Sequence, residues 1–332
     1  MRTTLILSLC VVAGAALLGA DPRYAVVKEI QIGGEGGWDY VIADAASHRL
    51  YVSHATKIVV ADSDTGAIVG EITDTAGVHG IALAPDLGRG FTSNGRSNSS
   101  TIVDLKTLKP LGTVPTGANP DSIRYLPDRK EVWTFNHTGG SVTAFDPVKA
   151  TVIATIQIGG ELEEAVEDPS AHRVYINVED KGALAVVDTM THALVATWPL
   201  GCEGPTGLAF DAKNHVLLSA CDGKMAVTDS RSGKPLGSFP IANGVDGNGF
   251  DPKSELAFAS SGTGVLTIAH EDAPGTFRVV QTVMTKRSGR TMYLDPVSHR
   301  VYVPVGDTTP GPNGGRAQLV PNSMKVLVLG PM

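Results

Sequence analysis

Seven residues recur through the chain at nearly constant intervals: Asp39, His79, Asp121, Glu163, Thr206, Asp246 and Arg290. Four carry carboxylates, one an imidazole and one a guanidinium. Brought together in one ring they would favour cations, because carboxylate oxygens suit Ca²⁺ or another hard divalent ion. An imidazole among them extends the choice to transition metals. The residues expected to hold such an ion are Asp39, Asp121, Glu163 and Asp246, with His79 placed to move a proton. A second set, His54, Asn94, Asn136, His137, Glu179 and Asp222, follows the first by 15 or 16 residues, just after the second strands, and would frame the same mouth. The bland alternative is a wet channel, which needs polar walls whether or not it binds anything.

What could gather these residues is a repeat of about 42 residues. An Asp closes a short apolar run at Asp62, Asp104, Asp146, Asp188 and Asp229, at intervals of 42, 42, 42 and 41. An earlier apolar run is marked by Tyr51, Phe91, Trp133, Tyr175, Leu218, Phe258 and Tyr302. A period of this length means one supersecondary unit copied many times, each unable to bury its apolar face alone. The fourth unit predicts four strands: Glu164–Asp168, Arg173–Val178, Ala183–Asp188 and Ala193–Leu200. The turns between them carry Asp, Gly, Pro and Ser. Four antiparallel strands per unit describe a β-propeller blade. Six complete units can be counted, and a seventh, starting near Arg290, lacks its fourth strand. That strand is expected at the other end of the chain. Ala25-Val26-Val27-Lys28-Glu29-Ile30-Gln31-Ile32-Gly33-Gly34 aligns without gaps on Thr151–Gly160, a fourth strand. Pairing of Ala25–Ile32 with Met324–Leu329 would close the ring and remove an exposed sheet edge. The expected fold is therefore an all-β seven-bladed propeller. An open β-solenoid would not need both chain ends in one unit.

The second strands read Tyr51-Val52-Ser53-His54, Phe91-Thr92-Ser93-Asn94, Trp133-Thr134-Phe135-Asn136 and Tyr175-Ile176-Asn177-Val178, and the units end in Asp-x-x-Thr or Asp-x-x-Ser. This pattern, over residues 24–332, resembles the YVTN, or YncE-like, seven-bladed propeller family of secreted and surface bacterial proteins. The literal Tyr-Val-Thr-Asn string does not occur. The resemblance implies the fold and little about activity, since such proteins include binding proteins and surface-layer repeats, and related propellers include lactonases and amine-dehydrogenase subunits.

Histidine placement narrows the chemistry. His48, His172, His215 and His299 fall in the turn between first and second strands, and His192 and His270 near the next turn on that rim. Only His54, His79 and His137 map to the opposite rim, where ligands of propellers usually bind. No nucleophile elbow, phosphate loop or zinc helix occurs, and no Cys pair has zinc spacing. An unusually long connection, Gly306 to Asn322, joins the last two strand signals on the channel-mouth rim. Its Gly- and Pro-rich composition leans to disorder.

At the N-terminus, Arg2 precedes an apolar run from Leu5 to Leu18 and Gly19-Ala20, which reads as a secretory signal peptide over residues 1–20. Cys10 lacks the small residue that should precede a lipidated cysteine. A single domain over 21–332, periplasmic or secreted, is expected, with no membrane-crossing segment. It holds 26 basic against 34 acidic residues, a net charge of −8. That balance gives no footprint for nucleic acid, and the basic, aromatic groove of single-strand binders is missing. A monomer is expected, with a protein or small molecule as partner. Cys202 and Cys221 flank the first hairpin of the fifth unit. Cross-strand counting puts Cys221 opposite Pro205, three residues from Cys202, so a disulfide is expected in an oxidising compartment. The missing catalytic motifs favour a non-catalytic binding or scaffold protein with its ligand at the channel mouth. The alternative is a metal-assisted lactonase- or lyase-like enzyme at the same place.

Overall fold

The computed structural model describes residues 23–311 and 318–332. The expected signal peptide at 1–20 lies outside them. Among the described residues no helix is long and apolar enough to cross a membrane.

Each of the first six repeats folds as a four-stranded antiparallel sheet in simple sequence order. Blade 1, for example, holds Val41–Asp44, Arg49–His54, Lys57–Asp62 and Ile68–Ile72. The turn chemistry of the sequence fixes these hairpins. At the end of every third strand from blade 1 to blade 5 the Asp accepts from two backbone N–H groups ahead of it. Asp62 takes those of Asp64 and Thr65 at 3.0 and 2.6 Å, and Asp188 those of Met190 and Thr191, both at 2.9 Å. In the hairpin joining first and second strands, His48, His172, His215 and His299 sit at φ of 53–58°. This left-handed conformation is one that a tight turn requires. These four imidazoles thus serve the turns of one rim.

Seven hydrophobic clusters hold the body together, and each straddles two neighbouring blades. The repeated aromatic of the second strand lies in these seams: Tyr51, Phe91, Trp133, Tyr175 and Phe258 are at most 1% exposed. A blade alone would leave both faces in water, so the repeat folds only as an array. The first strand of every blade touches the first strands of both neighbours, including the last against the first. The array is therefore a ring, with the first strands around its axis.

The N-terminal strand completes blade 7. That sheet runs, from the axis outwards, Tyr293–Leu294, Val301–Val305, Lys325–Pro331 and Tyr24–Gln31. The register is Tyr24 with Pro331 through Gln31 with Lys325, with a bulge after Val26. The expected pairing of Ala25–Ile32 with Met324–Leu329 is present, with its ends shifted by one or two residues. Cys202 and Cys221 are joined by a disulfide, with their Cα atoms 6.1 Å apart. The long connection in blade 7 forms a small two-stranded ribbon, Thr308–Thr309 against Gln318–Leu319, rather than a featureless loop among its described residues.

Candidate functional site at the channel mouth

The recurring seven residues occupy the start of each first strand or the residues just before it. Asp39, His79, Asp121, Glu163, Thr206, Asp246 and Arg290 all line one funnel of about 1670 Å³ at one end of the ring axis. Below it a narrower chamber of about 320 Å³ continues down the axis. Tyr40 borders both spaces, and Gly80 makes room for its ring: a Cβ there would lie 3.2 Å from Tyr40 Cδ2.

The funnel floor is an ion-paired arc across blades. His79 Nδ1 lies 2.7 Å from Asp39 Oδ2 and 3.7 Å from Asp121 Oδ2. His137 Nδ1 lies 3.0 Å from Glu163 Oε1. Arg290 pairs with Asp246 and approaches Asp39 Oδ1 at 3.7 Å. Backbone bonds fix this arc. Asp39 N donates to Ser53 Oγ at 2.8 Å, Thr291 Oγ1 donates to the Asp39 carbonyl at 2.8 Å, and Asp246 N donates to the Arg290 carbonyl at 3.2 Å. Two sets of side chains converge closely enough to share a metal ion: Asp39, His79 and Asp121, and Asp121, His137 and Glu163. A third, His137 with Glu161 and Glu179, is more exposed.

Low solvent access sets the protonation behaviour. Burial pulls the His79 imidazole down, but the hydrogen bond to Asp39 and the nearby Asp121 charge outweigh it and lift its pKa to about 9. The hydrogen bond to Glu163 raises that of His137. Burial pushes up the Asp121, Glu163 and Asp246 carboxyls, and for Asp246 the Arg290 charge acts against the rise. Burial and surrounding carboxylates drive the Tyr40 phenol well above its ordinary range.

Three residues expected at the mouth are elsewhere. His54 is 1% exposed, with Nδ1 and Nε2 against the carbonyls of Gly37 and Gly33 at 3.2 and 2.9 Å, beneath the glycine-rich segment before Trp38. Asn136 is fully buried, donating to Ser141 and Thr143 and accepting from Thr134. Asn94 repeats that pattern with Thr92, Ser99 and Thr101. In blades 2 and 3 the last residue of the second strand thus turns into the sheet and ties it to the third strand. His137, one residue later, faces the funnel, as do Glu179 and Asp222. The ribbon of blade 7 contributes Thr308, Gln318 and Leu319 to the funnel wall.

Five polar residues of the axis escaped the sequence reading. Asn119 hydrogen-bonds the His79 ring. In the lower chamber Arg124 meets Glu164 at 2.7 Å, with Ser122 Oγ on the same carboxylate at 3.2 Å, and Asn248 stands in the same wall. The signal for Arg124, Glu164 and Asn248 is a charged or amide residue in a first strand, one to three positions beyond the recurring one.

Fold and ring together define a seven-bladed β-propeller with an acidic, histidine-bearing funnel. No family model and no curated protein matches the chain. Solved structures similar to it include RRP9 WD40 repeats, at 10% identity and a TM-score of 0.78 over 93% of this chain and 99% of that one. The structure of U3-55K is similar at 10% identity and a TM-score of 0.76 over 92% and 98%. Kuenenia stuttgartiensis hydrazine synthase is similar at 14% identity and a TM-score of 0.70 over 87% and 96%. At such identities the likeness is one of fold alone.

Proposed function

We propose that this propeller is a binding protein of the cell envelope, that its ligand is a small cationic molecule, and that the ligand is held in the funnel. The observation that carries this is the convergence of Asp39, Asp121, Glu163 and Asp246 on one floor of a large concave space. Concave sites with a few convergent polar groups are where ligands bind, and carboxylates under low solvent access attract cations strongly. The YVTN-like strand pattern and the disulfide agree with a periplasmic or secreted protein, because such bridges persist in oxidising compartments.

The same floor would also serve a metal-assisted lactonase or lyase. What favours that second reading is the clustering of ionisable groups moved away from their ordinary ranges, a property of many active sites.

The test is a thermal-shift and calorimetric screen of small organic amines on EDTA-treated protein. A ligand found this way should lose its affinity when Asp39, Asp121 and Asp246 are all replaced by Asn. A ligand located on the opposite rim, beside His172 or His299, would sink the proposal. Turnover of a carbonyl substrate by the metal-loaded protein would decide for the second reading.

A further inference from the structure

The four floor carboxylates are not equally satisfied. Asp39 has His79 and Arg290, Glu163 has His137, and Asp246 has Arg290. Asp121 is 9% exposed, yet its nearest cationic atom is His79 Nδ1 at 3.7 Å, beyond hydrogen-bonding range. No hydrogen-bond donor among the described residues reaches it. Its side chain lines the open funnel, where a ligand can reach the oxygens. It stands where an imidazole nitrogen and a second carboxylate converge.

We propose that Asp39, His79 and Asp121 bind one divalent transition-metal ion on the funnel floor, with His79 Nδ1 as the nitrogen ligand. The proposal rests on the funnel being the binding site and adds an ion through which a ligand could be anchored. At metal–ligand distances of about 2.1 Å, adjacent donor atoms stand roughly 3.0–3.4 Å apart. The distances from His79 Nδ1, 2.7 Å to Asp39 and 3.7 Å to Asp121, bracket that range, and all three donor atoms lie within 4.8 Å of one another. On binding, the ion takes the place of the Nδ1 proton, which leaves to solvent.

The surroundings suit a ligand set. The Asn119 side chain hydrogen-bonds the imidazole, and Asn119 Oδ1 and His79 Nε2 both crowd against Gly95. A metal-bound histidine needs such a partner on its other nitrogen to fix ring and tautomer. Asp39 offers Oδ2 to the site while Arg290 approaches Oδ1. Asp246, expected among the ligands from sequence, is instead held by Arg290. Glu163 is held by His137, whose Nδ1 also lies 3.3 Å from the Leu162 carbonyl. One nitrogen and two carboxylates suit Zn²⁺, Mn²⁺ or Co²⁺. Ca²⁺ takes six to eight oxygens, which three residues do not supply.

The experiment titrates the EDTA-treated full chain with Co²⁺, read by its visible absorption, and records melting with Co²⁺, Zn²⁺, Mn²⁺ and Ca²⁺. The parent should take up one Co²⁺ per chain and melt higher with the transition metals. Asp121→Asn and His79→Gln should each weaken Co²⁺ at least about 100-fold, since even changes behind the ligands typically cost 10–100-fold. Asp121→Asn removes an unsatisfied charge, so it should melt no lower than the metal-free parent, which separates lost binding from lost folding. His299→Gln, on the opposite rim, should bind like the parent. Unchanged Co²⁺ affinity in Asp121→Asn, or no Co²⁺ uptake by the parent, overturns the proposal. So does stabilisation by Ca²⁺ that equals that of Co²⁺ and survives His79→Gln. Co²⁺ is read without any organic ligand, so a failed metal site leaves the amine screen to judge the funnel separately.

Discussion

Nδ1 of His79 lies 2.7 Å from Oδ2 of Asp39, so an ion pair links blades 1 and 2 across the funnel floor. The other side of that imidazole depends on Gly95, where a Cβ would lie 2.6 Å from His79 Nε2 and 2.3 Å from Asn119 Oδ1. Both are ends of side chains that can move, so Gly95→Ala should fold normally while displacing the ring. The expected result is a parent-like melt with Co²⁺ affinity reduced by about 10–100-fold, the range for a lost second partner. A variant that binds Co²⁺ like the parent would show that Gly95 does not position His79.

The fold was legible because turn chemistry and period agree at every level. The Asp at the third-strand end of blades 1 to 5, the aromatic in six of the seven seams and the gapless match of residues 25–34 to 151–160 all describe one sheet copied seven times. The site was legible only as far as the repeat carries it. Asp39, His79, Asp121, Glu163, Asp246 and Arg290 share a register, so placing one places all. His54 and Asn136 were misplaced because strand side chains alternate in direction, and a residue at a strand end was counted with the loop that follows it. His137, one step further, points the other way. Asn119 and the Arg124–Glu164 pair break the repeat, so nothing periodic announces them. That Asp121 meets His79 only at 3.7 Å, without a hydrogen bond, depends on ångström distances between blades, which no pattern along one chain encodes.

The N-terminal strand should account for a large share of cooperativity. Tyr24 is 2% exposed, stacks edge-on against Phe258 at 4.9 Å, and donates from its hydroxyl to the His299 carbonyl at 2.9 Å. Tyr24→Ala should destabilise by about 3–5 kcal/mol, the usual cost of truncating a buried aromatic. Deleting residues 21–32 should open blade 7 and sharply lower the melting temperature. A deletion variant that melts like the parent would show that the ring does not depend on this strand.

The Cys202–Cys221 bridge spans 19 residues of blade 5. By loop entropy its removal should cost about 3 kcal/mol. A Cys202→Ser, Cys221→Ser double variant should therefore melt lower than the oxidised parent, and reductant should lower the parent alone. Two free thiols per chain in denatured, unreduced protein would rule the bridge out.

Acidity should act on two limbs of opposite sign. Burial pushes the Asp188 carboxyl up, but bonds from Thr191 and Arg173 outweigh it and hold the pKa at about 2. Its unfolded value is near 3.8, so the stability it contributes is present above that pH and is lost as pH falls through about 2. Burial and the Asp128 charge raise Glu167 to about 7. Below its unfolded value of 4.5 the group is protonated in both states and neutral in effect. As pH climbs from 4.5 to 7 the unfolded chain ionises first, and the folded protein loses stability. Denaturant melts of metal-free protein from pH 2 to 8 should thus show a maximum near pH 4–5. Glu167→Gln should flatten part of the upper limb, to which the raised Asp121, Glu163 and Asp246 carboxyls also contribute. Asp188→Asn, which keeps an oxygen to accept from Met190 and Thr191, should flatten part of the lower one. If the upper limb keeps its slope in Glu167→Gln, burial of that carboxyl is not its cause.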